Sequence, residues 1–272
     1  MVASESLVLL KNVGAFVQAY QHILDVGFLV FARLLGFSLS APVFGRKDLP
    51  FVFRINFAIA FSILITSIGM NSLPHGGIID STEHMGLYIV QIFINLGVGL
   101  LVGFIGQMIL EGITSAGALA NNQMGLSAAM TFDPSSRQQV SILDKLFGFI
   151  ALMLFFHING MHWMLAAINK TFTIIPLWQS KPNFAELISG PMIIHLSGQT
   201  LDAALLMIAP IFIVTIGLDL ILGIVNRTAQ QIQVFQLSYA LKPAVGLAIF
   251  WMTLPNFLDL ARQYLEQSFK VF

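Results

Sequence analysis

Two long stretches without a single Asp, Glu, Lys or Arg, residues 85–110 and 146–169, constrain this chain more than any other feature. Each is longer than the roughly 20 residues an α-helix needs to cross a bilayer. Between them lies GALANNQMGLSAAMTFDP, residues 117–134, which is small, polar and rich in glycine and alanine. Such a hinge must lie at a membrane surface, be buried in protein or line an aqueous cavity. That choice separates a simple membrane bundle from part of a conduit.

Composition agrees with a membrane protein. Of the 272 residues, 57% are hydrophobic and 10% charged, whereas about a quarter of a soluble domain is charged. Lys plus Arg and Asp plus Glu are both 13, so net charge is zero. Nucleic-acid binders carry a basic excess or stripe, so no nucleic-acid partner is expected. With no cysteine there is neither a disulfide framework nor a thiolate metal site. The N-terminus carries Glu5 and lacks a basic n-region, so an uncleaved start inserted by the first long helix is expected.

Along the chain, about six long hydrophobic helices are expected, some of them broken. The first, residues 13–41, carries Asp25 and Arg33 on one face, two turns apart. That face either packs on partner subunits or lines a water-filled path, because intramembrane charges avoid lipid. A basic loop with Arg46, Lys47 and Arg54 precedes the second segment, residues 55–79, and an acidic loop with Asp80 and Glu83 follows it. The third carries Gly97, Gly99, Gly103 and Gly106. Gly99 and Gly103 form a GxxxG step, and these glycines mark close helix packing. Glu111 marks the departure from the apolar environment.

The fourth segment begins near Val140 and holds His157 and His162, whose spacing is poor for a one-face metal site. Residues 184–194 form a short apolar piece broken at Gly190-Pro191. The fifth segment, residues 201–225, contains Asp202 and Asp219, and Arg227 follows it. The sixth, residues 241–254, is short and headed by Lys242-Pro243; an amphipathic tail, residues 256–272, follows. Arg33, Glu111, Asp202, Asp219, Arg227 and Lys242 are therefore candidates for buried polar or subunit contacts. One domain, residues 1–272, is expected. No phosphate-binding loop, nucleophile elbow or metal-spaced cluster occurs, so neither enzyme chemistry nor a cofactor is expected.

Four stretches carry a family resemblance. Residues 32–60 read ARLLGFSLSAPVFGRKDLPFVFRINFAIA, and residues 116–134 read AGALANNQMGLSAAMTFDP. Residues 154–177 read LFFHINGMHWMLAAINKTFTIIPL, and residues 218–247 read LDLILGIVNRTAQQIQVFQLSYALKPAVGL. In that order and spacing they resemble the FliR family of flagellar export proteins and its SctT (SpaR) counterparts in virulence secretion. The resemblance implies an all-α, multi-helix integral membrane protein packed in a helical export-gate assembly at the bacterial inner membrane and flagellar basal body. It implies FliP and FliQ homologues as partners, FlhB and FlhA homologues nearby, and unfolded secreted proteins as cargo.

It further implies that Gln123, Met124, Gly125, Leu126, Ser127, Met130, Phe132, Asp133 and Pro134 belong to a loop that plugs the closed channel. The residue types fit that role. Gly117 and Gly125 would provide bends, Met124 and Met130 can seal irregular shapes, and Pro134 keeps Asp133 out of helix. Where the family often has aromatic residues, this chain has Ala128 and Ala129, which moves the expected seal to Met124, Met130 and Phe132. The family's Ala-Pro-Gln reads Ala229-Gln230-Gln231, and Met161 displaces His162 from its place after Gly160. The flagellar branch is favoured over the injectisome branch. A stand-alone proton-coupled transporter using Asp202 or Asp219 is a competing reading.

Overall fold

The computed structural model describes residues 21, 23–45, 49–69, 85–126, 142–178, 189–228, 231 and 233–269. The protein is all-α, and no strand occurs among the described residues. The helices are α1 (Ile23–Ser40), α2 (Phe51–Gly69), α3 (Met85–Gln123), α4 (Ile142–His157), α5 (Gly160–Ile174), α6 (Gly190–Thr228) and α7 (Val234–Phe269). Among the described residues, α1, α3, α6 and α7 are long and apolar enough to cross a membrane. The bent pair α4–α5 makes a fifth if counted as one span. Its 71° break falls at Ile158-Asn159, where Asn159 takes φ 57°. Asparagine is among the few side chains that adopt this left-handed region readily.

Three expected boundaries move. The polar hinge starts later than its composition indicates, because α3 runs on through Gly117 to Gln123. Gly117 is not a bend. A Cβ there would lie 2.9 Å from the Leu143 carbonyl oxygen and from Phe147, so the glycine permits a close approach. Gly190-Pro191 starts α6 instead of breaking it. In the first helical turn proline loses no intrahelical hydrogen bond and its φ is already helical. The short sixth segment and the amphipathic tail are one helix, α7, which continues through Pro243 and Pro255. Its C-terminal half buries Phe257, Ala261, Tyr264, Leu265 and Phe269 at helical spacing.

The chain divides into two compact units. The first comprises Met1–Gln107 and Met164–Ser189, the second Met108–Trp163 and Gly190–Phe272. In the first, α1 crosses α3 at near backbone contact. A Cβ on Gly36 would strike the Leu96 carbonyl oxygen, and one on Gly99 the Arg33 carbonyl oxygen. Small residues are what allow such an approach. The Ser40 hydroxyl donates across the same crossing to the Leu100 carbonyl at 2.8 Å. In the second, α6 and α7 pack along each other, and Phe147 of α4 meets Phe250 and Phe257 of α7 with ring centroids 5.2 and 4.7 Å apart.

Candidate functional site

A polar knot organises the first unit. Arg33 is completely buried, and its guanidinium donates to three neutral acceptors. Nε and Nη2 reach the Asn95 side-chain oxygen at 3.0 and 2.6 Å. Nη1 reaches the Thr171 hydroxyl at 3.2 Å, and Nη2 also reaches the Ile175 carbonyl at 2.8 Å. The guanidinium carbon lies 4.5 Å from the Phe172 ring centroid, within cation–π range. Asn95 is in turn oriented by its amide, which donates to the Gln91 and Leu177 carbonyls. Ile175 follows the last residue of α5. The buried cation thus sits at the negative end of a helix and satisfies a carbonyl left over there. The knot ties α1, α3 and α5 together; Arg33 therefore neither faces lipid nor lines an open path.

The second unit contains the root of the hinge. After α3, Met124 and Gly125 form a turn in which the Gly125 N–H donates to the Asn122 carbonyl at 3.1 Å. Gly125 has φ 73°, a conformation that favours glycine. Met124 is fully buried. Its thioether lies over Gly246 of α7, where an added Cβ would come within 2.6 Å of the Met124 Cγ. A Cβ on Gly125 would rest 3.8 Å from the Tyr239 ring, also on α7. Tyr239, Lys242 and Gly246 fall on one face of that helix. Lys242 Nζ meets the Asp219 carboxylate of α6 at 2.5 Å.

Of the residues expected in the plug, Gln123, Met124, Gly125 and Leu126 are placed at this turn. Ser127, Met130, Phe132, Asp133 and Pro134 lie outside the described residues. Gly99 and Gly103 face the α1 backbone, and a Cβ on Gly103 would come within 2.7 Å of the Ala41 nitrogen. Gly106 faces the Met164 thioether of α5. Asp219 and Lys242 come together as a pair. Glu111, Asp202 and Arg227 are exposed on the single chain, which leaves subunit contact as the open role for them. Sequence reasoning did not single out Asn95, Thr171 and Phe172, the partners of Arg33, or Gly36, Tyr239 and Gly246. Asn95 carried a signal: an amide in the middle of the uncharged stretch 85–110 implies a buried hydrogen-bonding duty.

The arrangement holds no acid–base or nucleophilic constellation among the described residues. It offers close packing, one buried cation anchored to neutral groups, and a methionine-bearing turn seated on a helix.

Comparison with known proteins identifies the family. Residues 24–268 match the family described as "Bacterial export proteins, family 1". The flagellar biosynthetic protein FliR of Bacillus subtilis is 31% identical over 80% of this chain and 82% of its own length. FliR of Escherichia coli is 26% identical over 91% of both. FliR of Buchnera aphidicola subsp. Baizongia pistaciae is 31% identical over 83% of this chain and 84% of its own length. The chain belongs to the bacterial export proteins, family 1, the family of the flagellar biosynthetic protein FliR.

Proposed function

We propose that this chain is the FliR-type subunit of the flagellar protein export gate and that residues 123–134 close its channel. The protein is a multi-pass inner-membrane component of the flagellar export apparatus. Its role is conformational, not catalytic. FliP and FliQ homologues are the partners with which it forms the gate, FlhB and FlhA homologues adjoin it, and unfolded flagellar proteins are its cargo. The flagellar relatives favour this branch over an injectisome.

The observation that carries the plug reading is the turn at the end of α3. Gly125 closes the turn after α3 at positive φ while Met124 is buried over Gly246, so the start of the stretch is fixed to α7. A plug needs such a fixed root and an adaptable tip. Support for an assembly comes from the outer helices. Only 28% of the most apolar stretch of α6 and 22% of that of α7 are buried within the chain. Apolar faces this extensive require lipid or neighbouring helices.

Deleting residues 125–132 is the test. The complex with FliP and FliQ homologues should still co-purify, and cells should become several-fold more permeable to small ions and dyes when export is idle. Unchanged permeability with an intact complex would remove the plug role and leave only a scaffold.

A further inference from the structure

We infer that the Lys242–Asp219 ion pair is a latch that keeps α7 in position to hold the root of the plug. The inference rests on reading residues 123–134 as that plug. The argument begins with the backbone of α7. Pro243 lies inside this helix, and a proline there has no N–H to give to the carbonyl four residues earlier, that of Tyr239. The helix is therefore weakened across residues 239–243, within the face that meets the Met124–Gly125 turn. The Tyr239 ring lies beside the turn before the weak point, where a Cβ on Gly125 would meet it, and Gly246 receives Met124 after it. A helix free to flex here would separate the two contacts.

Lys242 sits beside the weak point, and its ammonium is held by Asp219 of the neighbouring helix. The lysine side chain is 19% exposed and the aspartate 46%. In water such a pair contributes little. Here both helices are candidate membrane spans, and a charge left alone in such a segment must find another partner or a path to water. Parting the pair would therefore move α7 relative to α6 and not merely remove an attraction. Met124 would lose its seat because its contact with Gly246 depends on close approach. The two charges thus control whether the plug root is docked.

The chain has no cysteine, so docking can be read by a single engineered disulfide, Met124→Cys with Gly246→Cys, formed by a mild oxidant in membranes containing the whole gate complex. Asp219→Asn or Lys242→Gln should lower the cross-link yield about three- to fivefold, as a partly exposed pair would support. The charge exchange Asp219→Lys with Lys242→Asp should restore it. Because the exchange keeps the net charge of the pair, it also serves where a single variant accumulates poorly. Yields that stay at the wild-type level in the single variants, or a charge exchange that stays low while the complex remains intact, overturn the latch. Permeability of the strain lacking residues 125–132 is measured alongside. If that deletion leaves permeability unchanged, the plug reading fails, while the cross-link still decides whether the pair docks the turn. If the deletion leaks and the single variants both cross-link and stay tight, the plug stands and the latch falls.

Discussion

Replacing Arg33 with Ala should destabilise the protein by about 2–5 kcal/mol, the range for a large buried side chain whose loss leaves a void and unpaired acceptors. The removed side chain is among the largest completely buried ones. Its loss leaves the Asn95 side-chain oxygen and the Ile175 carbonyl without the donors they now have. Each orphaned buried acceptor costs on the order of 1–3 kcal/mol, and the void adds to this. Arg33→Lys separates charge from geometry. Lysine keeps the positive charge but offers a single ammonium, whereas the guanidinium fork addresses Asn95, Thr171 and Ile175 together and lies over Phe172. A loss of roughly 1–3 kcal/mol is expected for this conservative change. Denaturation midpoints of the detergent-solubilised gate complex measure both variants. If Arg33→Lys matches the wild type, a charge at this place suffices and the hydrogen-bonded knot is not what holds the three helices.

Which of these features could be read from the sequence depends on the range of the interaction responsible. The hydrophobic segments are local patterns, and each of the six contains helix among its described residues. GxxxG at Gly99 and Gly103 is also local, and the structure sets both glycines against the α1 backbone. The partner glycine, Gly36, has no such signature because its role exists only once α3 crosses it. The misplaced boundaries share one cause. Proline and glycine have different meanings at different helix positions, and position is known only after tertiary packing has set where the helix begins. Thus Gly190-Pro191 reads as a break and is a start, while Pro243 reads as the head of a short segment and is interior to α7. Asp219 and Lys242 each stand out as charges in apolar surroundings. That they pair depends on α6 lying along α7, and nothing in either segment states this. Likewise Met124 was singled out for its flexibility, whereas its seat on Gly246 is a contact between distant parts of the chain.

The close crossing of α1 and α3 leads to the second large expected effect. Gly99→Ala should cost about 2–3 kcal/mol, the upper end of overpacking penalties. The atoms its Cβ would strike are the Arg33 carbonyl oxygen and, at 2.7 Å, the Phe37 nitrogen. Both belong to the backbone, so no side-chain rotation relieves the collision and α1 itself must move away. Gly97 and Gly86 provide controls on the same helix, since nothing lies within 4 Å of a Cβ at either position. Gly97→Ala and Gly86→Ala should be neutral or stabilise by up to about 0.5–1 kcal/mol, because alanine loses less entropy in a helix. Denaturation midpoints of the three variants in the same complex decide the matter, and a Gly99→Ala midpoint equal to that of Gly97→Ala would refute close packing at this crossing. The two large effects are also coupled. Gly99 touches the backbone of Arg33 itself, so pushing α1 away pulls the guanidinium from Asn95, the residue on α3 that it holds. Neighbouring changes that share a partner do not add. Gly99→Ala combined with Arg33→Ala should therefore cost less than the sum of the two, because the first change has already loosened the knot that the second removes.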